Sequence, residues 1–213
     1  MSKLRFQISM SLDGYVAGPN QSEENPLGEG GEQLHEWVIA LEAWRKPHGL
    51  EGGEANASTE VVERSLENIG ATVMGRNMFG GEGPWDDHPW DGWWGDDPPF
   101  HTPVFIVTHH AREPVVKQGG TTFNFVTDGI ESALAQAFEA AGGEDVRLGG
   151  GASTVQQYLK AGLIDEVQLH VVPVLLGAGA RLFDNLEGVN AELDCTSVLD
   201  APGVTHLTYR ILK

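Results

Sequence analysis

The chain has 213 residues, and its 13 Lys plus Arg against 31 Asp plus Glu give a formal net charge of −18. A surface of that sign repels nucleic acid and anionic membranes, and no stretch approaches the roughly 18 consecutive apolar residues of a membrane-spanning helix. One domain, 1–213, with a well-buried core is expected at this length.

Met1–Phe6 leads straight into a strand-like pattern, without the apolar run and small-residue cleavage site of a secretory leader, so a cytoplasmic protein is expected. Cys195 is the only cysteine, which excludes an internal disulfide and a four-cysteine zinc site. Beside Leu193 and Val198 it reads as a buried, inert thiol.

Residues 3–9 alternate apolar and polar and predict a strand, followed by a Gly-rich stretch from Asp13 to Gly31. Leu34, Trp37, Val38, Leu41 and Trp44 recur at helical spacing and predict one amphipathic helix. Residues 47–57 are Gly-rich and polar, a loop. Ser58 is a good N-cap for a second helix with Val62, Leu66 and Ile69 inward, closed by Gly70. Residues 71–74 form a short strand, and 80–101, rich in Gly, Pro, Trp and Asp, a long loop.

Residues 103–107 are a continuous apolar run, as for a strand covered on both faces, and 121–126 are another strand. Asp128 and Glu131 make a capping box for a helix carried by Ile130, Ala133, Leu134, Ala137, Phe138 and Ala141 and ended by Gly142-Gly143. Residues 146–148 form a strand that meets three glycines and a helix with Val155, Tyr158 and Leu159 inward. Strands at 167–172, 191–199 and 205–212 complete the chain. Alternating strands and helices predict an α/β fold with a mostly parallel central sheet, and the last three strands, lacking helices between them, an antiparallel part.

Three segments carry chemistry, each at the carboxyl end of a predicted strand, where open α/β sheets gather ligands. In Gly149-Gly150-Gly151-Ala152-Ser153-Thr154 the glycines let the backbone approach a ligand, and the helix start offers unpaired N–H groups suited to a diphosphate. In Gly75-Arg76-Asn77 a glycine precedes an arginine whose planar fork suits phosphate. Thr108-His109-His110-Ala111-Arg112 adds basic groups, so Arg76, His109, His110 and Arg112 together would supply the local positive field that an anionic ligand needs on so acidic a chain. No metal site is expected. Adjacent His109 and His110 in an extended segment point to opposite sides, and His88, His101 and the Asp pairs lack regular ligand spacing. Trp85, Trp90, Trp93 and Trp94, set among Asp86, Asp87, Asp91, Asp96 and Asp97, either stack on a flat ligand or pin their long loop.

Ser9-Met10-Ser11-Leu12-Asp13-Gly14-Tyr15-Val16-Ala17-Gly18 resembles the start of dihydrofolate reductases, and more closely the reductase domain of bifunctional riboflavin-biosynthesis deaminase–reductases. Val73-Met74-Gly75-Arg76, Val107-Thr108-His109, Leu148-Gly149-Gly150-Gly151 and the stretch from Leu163 through Pro173–Gly179 to Leu182-Phe183 continue the likeness in order along nearly the whole chain. The resemblance implies a three-layer fold with helices on both faces, bound NADPH, a small-molecule substrate and a homodimer. It would place Gly75, Arg76 and Asn77 on cofactor phosphates, Thr108 and His109 near the adenosine 2′-phosphate, and Gly149 to Thr154 on the diphosphate. It would set the loop of Asp13 over the nicotinamide and substrate. Ala17 is a further candidate cofactor contact, Trp37 a candidate substrate contact, and Arg181 either a contact for an anionic substrate group or a plain surface residue; the candidate proton donor is Asp13, with bound water next. No H-x-E or P-C-x-x-C is present, so the deaminase half is absent from this sequence. Glu36 and Glu42 fall off the apolar stripe of the first helix, so the acidic residue that dihydrofolate reductases turn toward the pterin is not matched. The expected activity is hydride transfer to C=N or C=O; the alternative is a non-catalytic NADPH- or nucleotide-binding module.

Overall fold

The computed structural model describes every residue except Met1, Glu82, Asp86, His88 and Pro89. In chain order the elements are β1 (Leu4–Ser11), β2 (Tyr15–Ala17), α1 (Glu36–Ile39), α2 (Glu42–Arg45), α3 (Ala57–Leu66), β3 (Ile69–Gly75), α4 (Arg76–Phe79), β4 (Pro103–Val107) and β5 (Val115–Val116). There follow β6 (Thr122–Val126), α5 (Ile130–Ala141), β7 (Asp145–Leu148), α6 (Ala152–Lys160), β8 (Glu166–Val172), β9 (Ala180–Arg181), β10 (Glu192–Ala201) and β11 (Val204–Leu212). They form two compact units, one of residues 1–6 and 68–164, the other of residues 7–67 and 165–213.

In the first unit the start of β1, then β7, β3, β4 and β6, lie side by side and parallel, and the short β5 closes the edge antiparallel to β6. Parallel pairing brings the carboxyl ends of β7, β3 and β4 next to one another. Apolar residues run almost without break along β3 and β4, as strands covered on both faces require. Helix α5 packs over β3, β4 and β7, with Ala133, Leu134, Ala137 and Ala141 buried. The buried Tyr158 hydroxyl donates to the Ile130 carbonyl, 2.8 Å, tying α6 to the start of α5. Met74, Phe79, Trp85, Val104, Ile106 and Phe123 form an aromatic-rich cluster. Each large apolar side chain so buried contributes about 1.5–3 kcal/mol.

In the second unit β10, β11 and β8 are antiparallel neighbours, β8 lies beside β1, and β2 pairs with β9 in a separate two-stranded ribbon. Leu34, Trp37, Leu41, Val62, Val172 and Val204 form its core. The mixed α/β class with mostly parallel strands and antiparallel strands at the C-terminal end is as the sequence predicts. No helix among the described residues is long and apolar enough to cross a membrane.

Several local expectations are corrected. The predicted helix over 34–44 is a 3-10 turn and two single-turn helices. Leu41 is extended (φ −81°, ψ 138°), because Glu54 captures the backbone: its N–H donates to the Ala40 carbonyl, and its carbonyl accepts from Glu42 N–H. The N-cap of α3 is Asn56, in a reciprocal box with Thr59, rather than Ser58. Ile69 and Gly70 belong to β3, and Leu66 is exposed. Gly129, at φ 97°, caps α5 with no side-chain bond, so the Asp128–Glu131 box does not form. Cys195 is exposed, on an edge strand that is exposed along most of its length.

Candidate cofactor site

In the first unit the strand ends converge as backbone on backbone. Gly75 N–H donates to the Gly150 carbonyl at 2.8 Å, and Gly149 N–H donates to the Val73 carbonyl at 2.8 Å. Gly75 is extended (φ −81°), so its need for glycine is one of space: a Cβ there would collide with Thr154 Oγ1. Gly150 needs glycine for its backbone, at φ 122°, and the peptide joining it to Gly151 is cis. A Cβ on Gly151 would meet nothing within 4 Å, so open space lies in front of the start of α6.

The first intrahelical bond of α6 runs from Val155 N–H to the Gly151 carbonyl, 3.1 Å. The N–H groups of Ala152, Ser153 and Thr154 precede it, at the positive end of a nine-residue helix. Ser153 is exposed and Thr154 buried. Here the expected diphosphate residues 149–154 are brought together with Gly75.

Arg76 opens α4 and lies flat on Trp85, its guanidinium carbon 3.2 Å from the ring centroid. Its Nε donates to the Gly81 carbonyl at 3.1 Å and its Nη2 reaches the Gly83 carbonyl at 3.4 Å. Asn77, next along, is exposed. At the end of β4, Thr108 is buried and its hydroxyl accepts from His110 N–H at 3.2 Å, while His109 is exposed. Arg112 also reaches over Trp85, at 5.0 Å, but it is engaged: Nη1 donates to the Trp90 carbonyl and Nη2 pairs with Asp91 at 2.6 Å. The positive groups at these strand ends are Arg76, Arg112 and the start of α6, with Arg112 paired to Asp91.

The tryptophans pin their loop. Trp85, Trp90 and Trp93 each donate an indole N–H to a backbone carbonyl, of His110, Phe79 and Met78 respectively. Trp94 lies edge-on to Phe100. Asp86 and His88 lie outside the described residues. Among the described residues no group of three or more His, Cys, Asp or Glu is placed to hold a metal.

The second unit holds the other predicted residues. Asp13 accepts from the Ser11 hydroxyl (2.6 Å), Leu176 N–H (3.1 Å) and Gly177 N–H (2.7 Å). The Ser11 hydroxyl first, and then these two backbone amides, hold its carboxyl below the usual carboxylate range. In this arrangement the Asp13 carboxylate is an acceptor that joins Ser11 to the backbone of residues 176–177. Ala17 is buried, with Gly179 packed so closely that a Cβ would strike the Ala17 carbonyl. Arg181 is exposed, 3.2 Å from Asp184 and 5.0 Å over the Tyr15 ring.

Trp37, expected on the substrate side, is a core residue. It is 9% exposed, donates its indole N–H to Ser9 Oγ at 3.1 Å, and packs its ring against His170 and His206. Sequence reasoning missed this histidine pair. Their Nδ1 atoms lie 2.7 Å apart, and His206 Nε2 bonds Ser58 Oγ at 2.9 Å. Burial, with the neighbouring His206 and His35, pushes His170 down to about 3, and burial pushes His206 down to about 4, so both are neutral. Alternation along β8 and β11 marks each as inward-facing, but nothing local in the sequence says that they meet.

These are the features of a dihydrofolate-reductase-like α/β protein: parallel strand ends with a triple-glycine turn into a helix, and antiparallel C-terminal strands. The family model of the RibD C-terminal domain matches residues 2–207, and the chain belongs to that family. It is 37% identical over 119 residues to the uncharacterised protein YyaP of Bacillus subtilis strain 168; the match spans 54% of this chain and 62% of that relative's length. A protein of Shewanella sp. PV-4 assigned to riboflavin biosynthesis superposes with a TM-score of 0.64 at 23% identity, covering 99% of both chains. Dihydrofolate reductase from Enterococcus faecalis, solved as a complex with NADP(H), gives 0.51 at 13% identity, covering 99% of this chain and 97% of that one. At these identities the two structures speak to the fold.

Proposed function

We propose that the chain is an NADPH-dependent reductase that passes a hydride to a C=N or C=O group of a small substrate such as a pteridine or a pyrimidine bearing a ribose. The observation that carries this reading is the strand-end cradle, in which Gly75, Gly150 and the first turn of α6 are locked together beside an open space. The residues present fit a dinucleotide: helix-start N–H groups and the Ser153 hydroxyl answer diphosphate oxygens, and Arg76 adds a fixed positive charge. When bound, NADPH supplies the hydride from C4 of its nicotinamide. The protein supplies placement, a contribution of about 7–11 kcal/mol to the barrier in well-oriented systems. Asp13 keeps its loop in shape, and the proton comes from water.

Belonging to the RibD C-terminal domain family supports reductase chemistry, and we propose in addition that the protein works as a homodimer. Tryptophan-fluorescence titration tests the cofactor, because Trp85 lies against Arg76. NADPH binding at least tenfold tighter than NADH is expected from a 2′-phosphate held by Arg76 and the Thr108–His109 turn; equal affinities would remove that assignment. NADPH oxidation with a panel of pteridines, pyrimidine ribosides and simple imines then separates a reductase from a module that binds without turnover.

A further inference from the structure

One charged side chain of the first unit is left without an answer by the cradle. Arg147 sits in mid-strand on β7, two residues before the glycine turn, and its register partners are Arg5 on β1 and Thr72 on β3. Side chains directly opposite on neighbouring strands project from the same face, so the three stand in one row. That row continues through Val104 into Phe123 of the aromatic cluster. The Phe100 ring lies 5.4 Å from the Arg147 guanidinium carbon.

Two donors in this row are shut off from solvent with no hydrogen-bond partner: Arg147 Nε and Thr72 Oγ1. Asp145, the acid two residues before Arg147 on β7, is committed elsewhere: Oδ2 lies 3.6 Å from Arg5 Nη1, and Oδ1 accepts from Lys3 N–H at 2.8 Å. Burial alone, with no offsetting carboxylate, pushes Arg147 down to about 10. Arg147 is half-buried, its Nε is shut off from solvent, and burying any part of a cation without a partner is costly. A single acceptor oxygen between Arg147 and Thr72 would answer both orphaned donors, and a negative charge on it would answer the guanidinium.

We propose that Arg147 and Thr72, with Arg5 alongside, form an oxyanion-binding site for a phosphate or carboxylate group. Its ligand touches mid-strand side chains, whereas the cradle offers helix-start backbone, so the two sites respond to different substitutions.

The test is thermal unfolding of the full chain in sodium phosphate, sodium acetate and sodium chloride at one ionic strength, for wild type, Arg147→Met, Thr72→Val and Gly151→Ala. Wild type and Gly151→Ala should be stabilised by phosphate, acetate or both relative to chloride, and which anion acts identifies the ligand group. Arg147→Met should lose that response while equalling or exceeding wild type in chloride, since it removes an unpaired charge. Thr72→Val should weaken the response at least threefold. An anion response unchanged in Arg147→Met, or absent from wild type, overturns the proposal. So does an Arg147→Met protein that is equally destabilised in all three salts, which would make Arg147 a packing residue. A response lost in Gly151→Ala but kept in Arg147→Met would place the anion in the cradle.

Discussion

Gly75→Ala should destabilise the first unit through one specific collision, and Thr154→Ala should relieve it. The backbone of Gly75 suits alanine, so no torsional penalty enters. The new methyl, however, would collide with Thr154 Oγ1 and sit 3.2 Å from Thr154 Cβ and 3.6 Å from the Gly150 carbonyl oxygen. Methyl contacts are comfortable at about 3.5–4.0 Å, and Thr154 is buried on the first turn of α6, where it cannot rotate away freely. Overpacking of this kind costs about 1–3 kcal/mol, and the upper half of that range is expected here. Thr154→Ala alone should cost about 1 kcal/mol. Because removal of Oγ1 makes room for the new methyl, the double variant should be no less stable than Thr154→Ala by more than a few tenths, a coupling of about 2–2.5 kcal/mol. Equilibrium urea unfolding of the four proteins, compared at equal m-values, measures the cycle. Additivity within about 0.5 kcal/mol would show that β3 and α6 are not locked at this point.

Asp13→Asn should lower kcat/KM several-fold, because its single amide oxygen replaces only one of the two oxygens that accept from Leu176 and Gly177 and its NH2 faces the other N–H, yet leave the pH profile of kcat in place; loss of an acidic limb would assign proton delivery to Asp13. Acid should unfold the second unit early. His170 and His206 are held neutral in the fold, with values of about 3 and about 4 against about 6.5 unfolded, so their stabilisation is complete above pH 6.5 and is lost as pH falls toward 4. That loss is roughly 3 kcal/mol for His206 alone. A stability flat from pH 7 to 4.5 would contradict the buried pair. Cys195 should react with a thiol reagent at once and stoichiometrically in the native protein, whereas a thiol that reacts only after unfolding would contradict its exposure.

The three strand ends were legible in the sequence because each is a short local pattern: apolar run, glycine, helix start. The alternation of elements likewise exposed the α/β class. What escaped depends on partners distant along the chain. Residues 34–44 carry a helical stripe, but Glu54 bonds across Ala40 and Glu42 and breaks the helix. Cys195 has apolar neighbours, yet its strand lies at a sheet edge, where Leu193 and Val198 are exposed as well. The position of Arg76 after Gly75 suggests a phosphate ligand, and only the fold reveals that its guanidinium lies on the Trp85 ring. Trp37 is a candidate substrate contact in the sequence, and the fold packs it in a core cluster against the paired histidines and Ser9.

The cradle itself is tested most directly by an NADPH titration of Gly151→Ala beside wild type. The added methyl touches nothing within 4 Å in the folded protein and points into the space where the ligand would lie. Wild type should bind NADPH, and Gly151→Ala, with an unchanged unfolding midpoint, should bind at least tenfold more weakly. A fully folded Gly151→Ala protein with wild-type affinity would mean that the dinucleotide, if bound at all, is held somewhere else.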